Sequence, residues 1–115
     1  VRDMGHFIIH VSAMFHNQPD TLLTGDVFGE MIRPEYTTLD ANSFVGLGFF
    51  LRRSDEKFYF CNAGANKGYS SVFAIYPGQK SGFAILTNRD NAFDVIDEIS
   101  HEITKTYDFP KTSFD

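Results

Sequence analysis

The chain has 115 residues, which is enough for one hydrophobic core and too few for two. Hydrophobic residues at 43% and charged residues at 22% are ordinary globular proportions and exclude a disordered chain. The net charge of −5, with no cluster of Lys and Arg, excludes a nucleic-acid backbone as partner. No apolar run approaches the ~20 residues of a membrane span, and no secretory leader is visible. The single Cys61 excludes an internal disulfide and a multi-cysteine zinc site. With 13 Phe, 5 Tyr and no Trp, strands packed on helices are the expected architecture.

Residues 3–16 place Met4, Phe7, Ile8, Val11, Met14 and Phe15 on one stripe of an amphipathic helix, with Arg2, Asp3, His6 and His10 opposite. Asn17, Gln18, Pro19 and Asp20 break it. A second helix is expected over 25–33, capped by Thr24 and stopped before Pro34, with Val27, Phe28, Met31 and Ile32 turned inward. A polar connector, 34–43, completes a helical segment over residues 1–43. The strand-rich part covers 44–88. Phe44 to Arg53 reads as one strand in which Gly46 and Gly48 suggest close approach by another backbone. Ser54, Asp55 and Glu56 form a turn, 57–62 return as a second strand, and a glycine loop over 63–68 leads to a third at 69–76. Pro77, Gly78 and Gln79 turn the chain into a fourth strand at 82–88. These short connections imply an antiparallel β-meander of about four strands. Over 91–107 the period returns to helical, with Ala92, Val95, Ile96, Ile99 and Ile103 as the stripe. Asp94, Asp97 and Glu98 lie early in that helix and His101 and Lys105 late, as the helix dipole favours. The class is α+β, one domain over 1–115.

Several short patterns have plain structural readings. His6 and His10 are one helical turn apart but lack a third ligand, so they read as a surface pair and no metal site is expected. Gly64 to Gly68 lies between strands and so is not a phosphate loop, which leads into a helix. Cys61 reads as a buried structural thiol. Phe7, Phe28, Phe44, Phe49, Phe73, Phe83 and Phe93 read as core.

The most informative stretch is Phe60-Cys61-Asn62-Ala63-Gly64-Ala65-Asn66-Lys67-Gly68-Tyr69-Ser70-Ser71, followed by Val72 to Pro77 and by Gly82-Phe83-Ala84-Ile85-Leu86-Thr87-Asn88. With Asp3-Met4-Gly5-His6-Phe7, Leu22-Leu23-Thr24, Glu30-Met31 and Gly46-Leu47-Gly48-Phe49 upstream, this ordered set resembles the C-terminal portion of the serine β-lactamase and penicillin-binding-protein-like hydrolases. The branch it is most similar to holds class C β-lactamases, esterases and D-amino-acid peptidases. The resemblance implies acyl transfer on a lactam, D-alanyl peptide or ester, with no cofactor. In the family a Lys-Thr-Gly or His-x-Gly motif lines the cleft, and here it falls on Asn62, Ala63 and Gly64. The backbone N–H of Ala65 would then be one oxyanion donor. Asn62 departs from the family's cationic or proton-shuttling residue, and Lys67, where Pro is usual, is the candidate substitute charge.

The family's nucleophile motif, Ser-x-x-Lys at a helix start, is matched only by Ser54-Asp55-Glu56-Lys57, which falls in a hairpin turn and reads as a chance match. Neither Tyr-x-Asn nor Ser-x-Asn occurs. Lys80-Ser81-Gly82 resembles a third-motif variant, but only one strand follows it where two are needed, so it reads as a turn. The chain opens at Val1 and enters a helix at once, as a cut piece would. The expectation is a C-terminal part of such a hydrolase, contributing a cleft wall through Asn62, Ala63, Gly64 and Ala65 but no nucleophile, and inactive alone. A small acyl substrate is a partner only if upstream sequence completes the site. The 82–88 strand would leave an open sheet edge, a place for a homo-oligomer contact. The alternative is a non-catalytic binding or assembly module derived from the same fold.

Overall fold

The computed structural model describes residues 1–19, 21–37, 42–54 and 57–114. Three helices, α1 (Arg2–Phe15), α2 (Gly25–Met31) and α3 (Phe93–Thr106), flank one sheet. Its strands are β1 (Tyr36–Thr37), β2 (Ser43–Val45), β3 (Phe50–Ser54), β4 (Lys57–Asn66), β5 (Tyr69–Tyr76) and β6 (Ser81–Thr87). They lie side by side in chain order, every neighbour antiparallel. The α+β meander is therefore as expected, with two short strands added at its start.

The single strand expected over 44–53 is two strands, β2 and β3. Gly46 N–H donates to Phe49 O at 2.9 Å, and Gly48 sits at φ +84°, a conformation that folds the chain back and disfavours L side chains. Gly46 is the close approach foreseen there: a Cβ on it would lie 2.4 Å from Met31 O, while one on Gly48 would meet nothing. The polar connector also carries β1, which pairs with β2. The glycine loop expected over 63–68 is corrected too. β4 and β5 run as a ladder to Asn66 and Tyr69, leaving a two-residue turn at Lys67 and Gly68, with Gly68 at φ +85°. Asp20, Asp55 and Glu56, read from the sequence as turn residues, lie outside the described residues.

Strand alternation divides the core into two layers. On one face Leu51, Phe60 and Ile75 pack with Ile8, Val11 and Met14 of α1 and Phe28 of α2. Phe60 is the hub, its ring within 4.8–6.1 Å of Phe15, Phe28, Phe49 and Phe58. On the other face Tyr59, Cys61, Ala74 and Phe83 pack with Ala92 and Ile96 of α3. The C-terminal tail closes this layer: Phe109 stacks on Tyr76 at 4.4 Å, and the Tyr76 hydroxyl hydrogen-bonds the Thr112 hydroxyl.

The helix stripes are rotated slightly from expectation. In α2 the Thr24 hydroxyl accepts from Val27 N–H, as a cap should, but of the four residues expected inward only Phe28 is fully buried, and Val27 is exposed. In α3 the buried line is Ala92, Ile96, Ser100 and Thr104, while Ile99 is 41% exposed. Steps of four hold one line against the sheet, and small side chains at 100 and 104 let the helix lie close to it.

Candidate functional site

The residues singled out in the sequence, Asn62 to Ala65, occupy the far half of β4. Here the sheet narrows. β3 accompanies β4 only as far as Phe50, opposite Cys61. From Asn62 onward β4 has β5 on one side and, among the described residues, no strand on the other.

Ladder geometry decides which main-chain groups face that open side. A two-residue turn closed by Asn66 and Tyr69 makes alternate pairs (66/69, 64/71 and 62/73) the mutually hydrogen-bonded ones. The N–H groups of Ala63 and Ala65 then point away from β5, toward the open edge. Ala63 N–H is already taken, donating to Asn62 Oδ1 at 2.8 Å. Ala65 N–H is the next donor on the same edge.

Asn62 is fastened at both ends. Its Nδ2 donates to Gly48 O at 3.0 Å, so the β2–β3 turn and β4 are tied through this amide. The left-handed Gly48 presents its carbonyl to the middle of β4, which explains a local need for a donor at position 62.

A hollow of about 280 Å³ lies beside this edge on the α1 face of the sheet, lined by Met4, Asn62, Gly64, Ser71, Phe73 and Leu86. Its floor follows from the register, since Gly64 faces Ser71 and Asn62 faces Phe73. A Cβ at Gly64 would stand 3.4 Å from Ser71 Oγ, so glycine there keeps the serine hydroxyl reachable. Phe7 of α1 packs edge-on against Phe73, a lining residue, with ring centroids 5.5 Å apart. Ser71 was not singled out in the sequence; the signal that finds it is the period of two, which carries the Gly64 face across to β5.

Other candidates fall elsewhere. Lys67 is exposed at the hairpin tip, one residue beyond the strand. Ser54 ends β3 and Lys57 begins β4, so these two face each other across a hairpin rather than sharing a helix. Lys80 is the left-handed residue, φ 50°, that ends a 3-10 turn at Pro77–Gln79, and Ser81 opens β6. Cys61 is buried on the α3 face, and burial pushes its thiol up to about 11, partly countered by Arg52; a thiol so placed is a poor nucleophile at neutral pH. His10 Nε2 accepts from Leu22 N–H at 2.7 Å, and His16 Nε2 contacts Pro77 O at 2.8 Å. Both therefore serve in tying connections down. Among the described residues no group of three His, Cys, Asp or Glu is placed to hold a metal ion. Among the described residues no helix is long and apolar enough to cross a membrane.

The Beta-lactamase family model matches residues 1–103, which is most of the chain. This chain belongs to the beta-lactamase family. A search of curated proteins finds no match. Among solved structures, the crystal structure of a penicillin binding protein from Bacillus halodurans is similar, with 20% identity and a TM-score of 0.63. The match covers 78% of this chain and 27% of that one. The chain thus spans about a quarter of the length of that neighbour, and at this identity the likeness is one of fold. The α+β meander described above is the fold they share. Within a beta-lactamase-family chain, the order of strand, glycine turn, two strands and helix is the set on which the sequence resemblance rests.

Proposed function

We propose that this chain forms one wall of an acyl-transfer cleft of the serine-hydrolase kind. The parent reaction is attack of a serine on a lactam, D-alanyl peptide or ester carbonyl, giving an acyl-enzyme that water then releases. The observation that carries the proposal is the open edge of β4 beyond Cys61, where Ala65 N–H points outward beside the glycine-floored hollow. A backbone N–H fixed in a sheet is a preorganised donor for the oxygen that becomes negative during acyl transfer. Gly64 leaves room along the edge for a substrate. Asn62 contributes no proton: its amide does not titrate and is spent on Gly48 and Ala63. Lys67 is the nearest candidate for a cationic group on this hairpin. The nucleophile and its base are not supplied by these residues, so the chain alone is expected to be inactive.

The two internal bonds of Asn62 also favour a second reading. A residue that closes its own edge suits a binding or assembly module that keeps the sheet and performs no chemistry. Assembly is supported by β6, whose outer edge has no strand beside it among the described residues. Ser81 to Thr87 carry no charge and no proline, the usual blocks to edge pairing. Antiparallel pairing with a second copy about Ala84 would set Phe83 against Ile85 and extend the sheet. Sedimentation analysis is expected to show a dimer, and a monomer at all concentrations overturns this part.

Intact-mass spectrometry after incubation with benzylpenicillin, and separately with a fluorophosphonate, tests the main reading. No adduct is expected, and an adduct mapped to Ser54 would overturn the wall proposal. Titration of the ¹⁵N-labelled chain with benzylpenicillin separates the two readings. Saturable shifts at Gly64 and Ala65 support a cleft wall, and their absence supports the module.

A further inference from the structure

We propose that Asp90 is a positioning residue for the β4–β5 hairpin, setting the direction of the outward N–H of Ala65; this rests on the cleft-wall reading. Beyond Cys61 and Phe50 the sheet has lost β3, and beyond Ser70, opposite Thr87, it has lost β6. β5 is still flanked by β6 from Phe73 to Ser70, so what projects as a two-stranded tip with neither outer neighbour is the short stretch Asn66 to Tyr69. Two-stranded ribbons are marginal by themselves, so an unsupported tip would sample a range of twists.

The connection from β6 to α3 supplies the support. Asp90 Oδ1 accepts from Gly68 N–H at 2.5 Å, reaching the turn from 22 residues away. Behind it the connection is held to β5 through Ser70, which is 1% exposed. Thr87 Oγ1 donates to Ser70 O at 2.9 Å, Ser70 Oγ donates to Arg89 O at 3.0 Å, and Ala92 N–H donates to Ser70 Oγ at 3.3 Å. The segment on either side of Asp90 is thus fastened before the carboxylate reaches out. Asn91, at φ 50°, turns the chain there so that α3 can begin at Phe93. Gly68, at φ +85°, is the residue whose N–H is offered to the carboxylate. Asp90 itself is exposed and reaches the edge donor only through the turn, so its role is to hold rather than to react.

The test uses the whole chain as wild type, Asp90→Ala and Asp90→Asn. Backbone order parameters are measured by ¹⁵N relaxation, with denaturant midpoints measured beside them. In the wild type the tip and Ala65 beside it are expected to be as ordered as the sheet, about 0.85, falling to about 0.6 or below at residues 65–69 in Asp90→Ala. Gly68 amide exchange is expected to rise about three- to tenfold in that variant. Asn keeps an acceptor oxygen, so Asp90→Asn is expected to restore the order. The order of 57–61 and of α3, and the unfolding midpoint, are expected to change little, which a merely structural role would not predict. Unchanged order at the tip in Asp90→Ala overturns the proposal. So does a loss of order spread across the sheet with a lowered midpoint. Benzylpenicillin titration of the same samples separates this inference from the one beneath it. Shifts at Ala65 in the wild type that weaken severalfold in Asp90→Ala support both. A tip ordered by Asp90 with no penicillin shift in the wild type overturns the cleft-wall reading and supports the clamp.

Discussion

Gly82→Ala tests whether α1 is seated on β6, the packing that brings Met4 to the hollow. A Cβ at position 82 would lie 2.5 Å from Ala74 O, 2.7 Å from Ile8 Cγ2 and 3.2 Å from Ile75 Cα. Two of these are backbone atoms of β5, which cannot rotate aside, and the third belongs to a core side chain that is 6% exposed. Relief requires β5 and β6 to part, or α1 to lift, by roughly half an ångström to one ångström, and such overpacking costs about 1–3 kcal/mol. The loss of backbone freedom in the unfolded chain offsets about 0.4–1 kcal/mol of this. The net expectation is a loss of about 1–2 kcal/mol. In a chain of this length that lowers Tm by about 4–8 °C. Urea unfolding followed by circular dichroism measures it, with an unchanged m-value showing that the native state has not expanded. Adding Ile8→Ala removes one of the three contacts, so a double-mutant cycle is expected to show a favourable coupling of about 0.5–1.5 kcal/mol. A Gly82→Ala variant as stable as the wild type, with no coupling to Ile8, would refute the placement of α1.

Three further outcomes follow from particular contacts. Burial pushes the Cys61 thiol up from 9.0 to about 11, so its contribution is complete below about pH 9 and is lost as pH rises toward 11. Burial raises the Tyr76 phenol as well, which extends the loss to higher pH; stability measured from pH 8 to 11 is expected to fall, less steeply in Cys61→Ala. Gly48→Ala is expected to cost about 1–2 kcal/mol from its φ of +84° although space is open there, and Gly48→Asn less, as compared by denaturant midpoints. His10 Nε2 accepts from Leu22 N–H at 2.7 Å, so His10→Ala is expected to speed hydrogen exchange of the Leu22 amide about three- to tenfold. An exchange rate at Leu22 that is unchanged in His10→Ala refutes the assigned bond.

Much of the architecture was legible before any coordinates. Period-3.6 stripes located α1 and α3, the Thr24 cap and Pro34 bounded α2, and the Pro-Gly and glycine-rich breaks located the β4–β5 and β5–β6 hairpins, because those signals depend on neighbours within a few residues. The resemblance carried by Asn62 to Ser71 pointed to the stretch that the tertiary structure sets at an open sheet edge. What local reading missed has a common cause. Gly46 and Gly48 look alike in sequence, yet one is required by the approach of Met31 O and the other by its own backbone angle. The extra turn between them splits one expected strand into two. Residues 63–66 read as a loop because glycine and alanine have weak strand propensity, but pairing with β5 overrides that preference.

The sequence by itself determined the α+β class, the order of the elements and membership of a recognisable ordered set of motifs, since each rests on short-range periodicity or on residue identity. Only the tertiary structure decided that β3 stops opposite Cys61, that Asn62 spends its amide on Gly48, and that Ser71 faces Gly64 across a hollow. It alone brought Asp90 to Gly68. These are matters of register and of contacts between residues far apart in the chain. A shift of one residue would turn every side chain on a strand to the other face, so register is set by the whole core rather than by any local pattern.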